Sequence, residues 1–112
     1  GFLVLSGEDA LTYPMLAMGA QGAISVTSNI APKECAQMIN SYLSGDREKS
    51  LALHLELLGL SDSLFIETNP IPVKEALALM GFMEPDLRLP LTRMLPENLQ
   101  KLKAVLKEYK LI

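Results

Sequence analysis

Two short polar clusters in the first thirty residues hold groups that could take part in chemistry. The first is Ser6, Gly7, Glu8 and Asp9, which directly follows an apolar run, and the second is the Thr-Ser-Asn segment 27–29. Adjacent carboxylates such as those of the first cluster can serve acid–base catalysis. Because they stand where a helix should begin, we favour capping of backbone N–H groups as their role. For the second cluster two interpretations stay open, namely a simple turn or a minor role in a site.

Other residue types with reactive side chains are isolated in the sequence. His54 is the only histidine, and no Asp, Glu or Cys accompanies it at metal-ligand spacing, so we expect a packing or surface role, no metal site and no cofactor. Cys35 is the only cysteine, so it cannot form an internal disulfide and is expected to pack on a helix. Every lysine falls on a predicted helix or in the C-terminal tail, and Lys74 is expected to form a structural ion pair. The lysines are Lys33, Lys49, Lys74, Lys101, Lys103, Lys107 and Lys110.

A strand and a short helix position the first polar cluster. The unbroken apolar run 2–5 predicts a strand that is buried on both faces. Asp9 or Thr12 is expected to cap the helix that follows, which runs to about Met18. Gly19 then suits a left-handed C-terminal cap.

A second strand and helix position the other cluster. The β-branched segment 23–27 predicts a strand that ends at Ser28 or Asn29. Pro32 suits the first turn of a helix that closes at Gly45. Its apolar residues recur at helical spacing, namely Cys35, Met38, Ile39 and Leu43. Parallel strands joined by helices place their functional loops at the C-terminal ends of the strands, which is where both clusters stand.

The remainder of the chain is predicted to be helical, with no strand after Thr27. Asp46 can cap a helix that continues through Leu58, and the segment 59–62 is expected to bend or divide it.

Two further helices complete the pattern. Asn69 suits an N-cap and Pro70 the first helical position of a helix that ends at Gly81. The segment 82–94, with two prolines, predicts an ordered connector, and a last helix starts near Pro96.

Length and composition exclude several classes of protein. The 112 residues, of which 49% are hydrophobic, suffice for one globular domain, and a net charge of −3 gives no reason to expect nucleic acid. No apolar run approaches the roughly 18 residues of a membrane span and no signal peptide opens the chain, so we expect no membrane contact and a cytoplasmic location. The chain opens on Gly1 with a strand at once, and two parallel strands alone would leave edges exposed, so we expect a fragment.

Four motifs resemble the C-terminal part of the 4-hydroxy-tetrahydrodipicolinate synthase (dihydrodipicolinate synthase) family. Two are shared across the wider superfamily of pyruvate-dependent lyases and aldolases, whereas NPIPVK and LRLPL are more specific to the synthases. The motifs are SGED (6–9), GAISVTSN (22–29), LFIETNPIPVKEALALMG (64–81) and LRLPLT (87–92). The resemblance implies an α/β fold in which residues 1–45 form the last two β/α units of a TIM (β/α)8 barrel. A C-terminal helical extension of about three helices, residues 46–112, would follow.

The resemblance also implies a reaction, the condensation of pyruvate with aspartate semialdehyde in diaminopimelate and lysine biosynthesis. Pyruvate is held in this family as a Schiff base on a lysine. That lysine, a tyrosine relay and an arginine lie upstream of residue 1, so no catalytic residue is expected in this chain and the isolated chain is expected to be inactive. Gly7 matches a glycine that lets the main chain approach pyruvate, Ser6 adjoins it, and Ile24 matches a position whose carbonyl faces the adduct. Family members are usually homotetramers.

Two alternatives stay open from the sequence. The parent enzyme could be an N-acetylneuraminate lyase-like or keto-deoxy-sugar aldolase, although NPIPVK and LRLPL argue against it. The chain could also be a free-standing, non-catalytic α/β interaction module. Such a module would fold cooperatively as a single species whose sheet edges are covered.

Overall fold

The computed structural model describes residues 1–112, which divide into two compact units, 1–61 and 62–112. Two short strands and five α-helices form the chain, and single 3-10 turns at Asp9–Leu11 and Thr27–Asn29 precede helices. None of the helices combines the length and apolar character needed to cross a membrane. The elements are β1 Leu5–Ser6, α1 Thr12–Ala17, β2 Gly22–Ala23, α2 Pro32–Leu43, α3 Arg47–Ser63, α4 Ile71–Leu79 and α5 Pro96–Glu108.

The two strands pair in parallel, as the sequence predicts, but over a shorter length. Leu5 lies opposite Gly22 in the register, and the Gln21 N–H donates to the Val4 carbonyl at 2.9 Å. The predicted second strand, 23–27, is wrong beyond Ala23, because the chain leaves the strand there and forms a 3-10 helix from Thr27. No strand follows β2, which confirms the prediction for the rest of the chain.

The predicted burial of the first strand on both faces is wrong for this chain. Phe2 is 88% exposed and Leu3 69%, and Val4 and Leu5 are each 43% exposed. The sheet has two short strands only, and the chain does not cover both of its faces, so the apolar side chains of this segment stay exposed.

Helices α1 and α2 end where the sequence predicts. The backbone of Gly19 has φ +104°, a left-handed conformation that glycine adopts without strain, and α2 stops two residues before Gly45. Cys35 and Met38 on α2 are buried as expected, but Leu43, at the end of the helix, is 55% exposed. The predicted apolar face of α2 is therefore correct for its first two turns.

Helix α3 is capped as predicted but is not divided. The Asp46 carboxylate accepts the Lys49 N–H at 3.1 Å, which confirms the cap. The prediction that 59–62 divides the helix is wrong, because α3 continues to Ser63. Gly59 lies inside the helix, where a glycine costs about 1 kcal/mol of stability. The burial of its neighbours Leu57 and Leu60, which are 6% and 1% exposed, outweighs that cost.

In the second unit, α4 and α5 pack on each other around a fully buried core that includes Ala76, Leu102 and Leu106. Helix α4 begins at Ile71, one residue later than predicted, because the Thr68 carbonyl accepts the Ile71 N–H. Asn69 is consequently not its N-cap, and the prediction for that residue is wrong.

The connector between α4 and α5 has no regular structure and is held by two basic side chains. Lys74 Nζ donates to the backbone carbonyl of Asp86 at 2.6 Å, so the predicted ion pair of Lys74 is wrong. The residue next to Lys74 forms an ion pair instead. Glu75, which is buried, accepts a hydrogen bond from Arg93 Nε at 2.6 Å.

Candidate functional site

The C-terminal ends of β1 and β2 bring the predicted substrate-binding residues together. The Ile24 N–H donates to the Ser6 carbonyl at 2.8 Å, so the residue after β2 is joined directly to the end of β1. Gly7 follows Ser6 in the chain. Ser6, Gly7 and Ile24 therefore form one continuous rim at the end of the sheet, which is the face where parallel β/α folds carry their sites.

Ser6 shapes the turn that leaves β1. Its side chain is buried, and its hydroxyl donates to the Glu8 carbonyl at 2.8 Å and accepts the Glu8 N–H at 3.3 Å. This short serine turn engages the hydroxyl with the backbone two residues ahead. Ser6 thereby fixes the direction in which the chain presents Gly7.

Gly7 has neither of the two usual structural reasons to be glycine. Its φ is not in the left-handed region, and a Cβ built on it would meet no atom of the chain within 4 Å. The absence of a side chain leaves the backbone open to close approach from outside the chain.

Ile24 presents a free acceptor at the same rim. Its side chain is 74% exposed, and its N–H is engaged with Ser6. No hydrogen bond within the chain uses its carbonyl oxygen. A ligand at the rim can therefore meet an unoccupied backbone acceptor.

The carboxylate of Asp9 has a partner that the sequence did not reveal. Asp9 Oδ2 accepts the N–H groups of Val26 and Thr27, at 2.9 and 3.0 Å. The expected capping of its own helix is wrong: neither Asp9 nor Thr12 caps it, and the Thr12 hydroxyl donates to the Glu8 carbonyl instead. Asp9 caps the 3-10 turn that follows β2, because the two strand ends lie side by side.

The segment 27–29 is engaged in internal hydrogen bonds. The Thr27 hydroxyl bonds the Ser61 hydroxyl at 2.9 Å, and both residues are buried. Ser25 Oγ accepts the Ser28 N–H at 2.8 Å, and Asn29 Nδ2 donates to the Val26 carbonyl at 2.9 Å. These bonds confirm the interpretation of the segment as a turn.

Cys35 lines a cavity of about 10 Å³ beneath this turn, with Asp9, Thr27, His54 and Ser61 among the other lining residues. A space of this size holds at most one water molecule. Burial raises the pKa of the Cys35 thiol to about 11, the charges of Asp9 and Glu34 add to the effect, and a hydrogen bond with Ser25 opposes it. The raised pKa keeps the thiol protonated at neutral pH. The side chain is buried on α2, which confirms its predicted packing role.

His54 packs against aromatic rings. It is 7% exposed, and its ring stacks on Tyr13 with centroids 5.6 Å apart and planes inclined by 27°. Tyr13 in turn meets Tyr42 edge to face at 5.4 Å. This confirms the packing interpretation of His54, and no group of three or more His, Cys, Asp or Glu side chains is arranged to hold a metal ion.

We expect stability to fall as the pH drops below about 6.5. Burial lowers the pKa of His54 from its ordinary value of 6.5. On acidification the unfolded chain therefore binds the proton first, and the free energy of unfolding decreases until the pH passes the lowered pKa of the folded chain. His54→Phe, which keeps a ring against Tyr13, should flatten this part of the profile. Urea midpoints between about pH 7.5 and 5 measure both curves, and an equal decline in the two proteins would contradict the assignment.

Comparison with known proteins places this chain in a family. The model of the Dihydrodipicolinate synthetase family matches residues 1–109. A curated 4-hydroxy-tetrahydrodipicolinate synthase from Hydrogenobaculum sp. (strain Y04AAS1) is 53% identical over 111 residues, which are 99% of this chain and 38% of the relative.

Solved structures agree with the sequence match. The crystal structure of dihydrodipicolinate synthase from Aquifex aeolicus has a TM-score of 0.96 and 52% identity, and the match covers 98% of this chain and 38% of that one. The structure of the chloride-inhibited synthase from Acinetobacter baumannii complexed with pyruvate has a TM-score of 0.94 and 37% identity over 99% of this chain and 38% of that one.

The matched region is the C-terminal part of these relatives, which are TIM-barrel enzymes. The chain spans about 38% of the length of the relatives it matches. The match covers 99% of this chain at 53% identity, so it rests on the sequence itself and not only on a shared fold. The resemblance carried by the four motifs is thus confirmed, and the chain belongs to the dihydrodipicolinate synthetase family.

Proposed function

We propose that the chain supplies the C-terminal part of a lyase that condenses pyruvate with aspartate semialdehyde through a lysine Schiff base. The observation that carries the proposal is the family match over residues 1–109, together with 53% identity to a curated synthase. The similarity to a synthase whose structure contains pyruvate supports the first substrate. NPIPVK and LRLPL, which argued against a sugar-acid aldolase, lie inside the matched region.

In this proposal residues 1–45 are the last two β/α units of the barrel and residues 46–112 are the helical extension. The parallel pair β1 and β2, with α1 between them and α2 after them, supports the first assignment. Helices α3, α4 and α5 would form the extension. The compact units divide later, after Ser61, in keeping with the hydrogen bond from that residue to Thr27.

The proposed chemistry uses an imine between pyruvate and a lysine that lies outside this chain. The protonated imine draws electrons from the pyruvate methyl group, which loses a proton to give an enamine, and the enamine carbon then attacks the aldehyde. The present chain contributes backbone groups to that site. Gly7 leaves room for pyruvate, the Ile24 carbonyl faces the cationic adduct and stabilises it electrostatically, and Ser6 fixes the turn between them.

We further propose that the whole enzyme acts in the cytosol as a homo-oligomer, a tetramer as the family resemblance implies. Its proton relay and the arginine that holds the second substrate would come from other parts of the polypeptide. The chain on its own would be inactive.

Borohydride trapping tests the proposed function. The test protein is a chimera in which this chain replaces the matching C-terminal part of the Aquifex aeolicus synthase, to which it is 52% identical. Borohydride reduces an imine to a stable amine, so pyruvate should become attached to a lysine of the upstream part. The chain alone should trap nothing. A folded chimera without an adduct, or an adduct on a lysine of this chain, would overturn the proposal, and reactions without pyruvate serve as the control.

A further inference from the structure

We propose that Asp9 is a positioning residue for the substrate rim, and this inference rests on the proposed function. Its carboxylate would hold the loop after β2 in the conformation that presents the Ile24 carbonyl. Asp9 itself would touch no substrate.

The loop after β2 is attached at two points, one at the end of β1 and one in the loop that follows β1. The first is the Ile24 N–H, which donates to the Ser6 carbonyl at 2.8 Å. The second is Asp9 Oδ2, which accepts the Val26 and Thr27 N–H groups at 2.9 and 3.0 Å. Hydrogen bonds to an ionised carboxylate are shorter and about twice as strong as neutral ones.

The carbonyl of Ile24 lies between these two attachments. Only one planar peptide unit, the one that carries the Ile24 carbonyl, lies between the unit of the Ile24 N–H and the unit of the Val26 N–H. With both N–H groups held, this intervening unit has little freedom to rotate, and the direction of the Ile24 carbonyl is set. Because no hydrogen bond within the chain engages that oxygen, its direction depends on these neighbouring attachments.

A capping role alone and a positioning role predict different results. A cap contributes to stability wherever it lies, whereas a positioning residue also changes the affinity for the ligand. Asp46 offers a matched control because its carboxylate also accepts a backbone N–H, that of Lys49, at the start of α3, and has no hydrogen bond with the loop after β2.

The test compares Asp9→Asn with Asp46→Asn in the chimera. Both substitutions keep the size of the side chain and remove its charge. We expect both to lower the melting temperature by a few degrees, and only Asp9→Asn to raise the KM for pyruvate, by about fivefold and with a smaller change in kcat. Amide exchange of the Val26 and Thr27 N–H groups should be about tenfold faster in Asp9→Asn.

An unchanged KM in a working chimera would overturn the positioning role, as would unchanged exchange at Val26 and Thr27. Failure of the unsubstituted chimera to trap pyruvate would instead contradict the proposed function, so the two failures are distinguishable. Should Asp9→Asn not fold, Asp9→Glu, which keeps the charge but displaces the oxygens, is measured in the same way.

Discussion

Gly7→Ala is expected to raise the KM for pyruvate by at least about fivefold in the chimera and to leave its melting temperature unchanged. A Cβ at Gly7 meets no atom of the chain within 4 Å, and the backbone is not left-handed, so folding has no reason to respond. The methyl group would occupy space that we assign to pyruvate, and overpacking of this kind costs about 1–3 kcal/mol. Steady-state kinetics and thermal unfolding of the same preparation measure both quantities.

Gly19→Ala is the matched control for this experiment. A Cβ there also meets open space, but the backbone has φ +104°, a conformation that is strained for any residue with a side chain. We expect a loss of about 1–2 kcal/mol of stability and no change in KM. If Gly7→Ala lowered stability as Gly19→Ala does and left KM alone, Gly7 would be an ordinary turn residue.

Leu102→Ala is expected to lower the free energy of unfolding by about 3 kcal/mol. Leu102 is completely buried on α5, which packs against α4. Truncation removes apolar contacts and leaves a cavity that rigid helices fill only in part. Urea denaturation followed by circular dichroism measures the change.

The control for Leu102 is the same substitution at an exposed leucine of the same unit. Leu89 is 87% exposed, so Leu89→Ala should change stability by less than about 0.5 kcal/mol. Equal losses for the two variants would mean that α5 does not enclose the core as described.

Elements with local determinants were predictable from the sequence. Helix α2 begins at Pro32 and stops before Gly45, α5 begins at Pro96, and Asp46 caps α3, all as expected. Each of these features depends on residues within one helical turn, where backbone geometry and capping preferences act.

Features that depend on distant partners were missed. The carboxylate of Asp9 pairs with N–H groups about 17 residues ahead, and Glu75 pairs with Arg93, 18 residues ahead. Nothing in the local pattern distinguishes Asp9 from a cap of its own helix. The extent of β1 likewise depends on neighbouring strands, so an apolar run alone overestimated its burial.

The candidate site came from the motif resemblance and not from residue chemistry. A glycine after a strand usually indicates a turn, and an isoleucine has no reactive group, so composition alone gave no reason to select Gly7 or Ile24. Their relevant features are backbone groups, an open approach and a free carbonyl, which are apparent only once the strand ends lie side by side.

Because the only thiol of the chain is buried, the rate at which a thiol reagent labels it reports on opening of the first unit. An electrophilic thiol reagent reaches Cys35 only when the first unit opens, and with a pKa of about 11 little of the nucleophilic thiolate exists at neutral pH before that. The labelling rate therefore measures how readily that unit opens, and no engineered probe is needed. The cavity beside Cys35 is also lined by Asp9 and Thr27. The labelling rate of Cys35 therefore also reports on how often the loop contacts that support the rim are exposed.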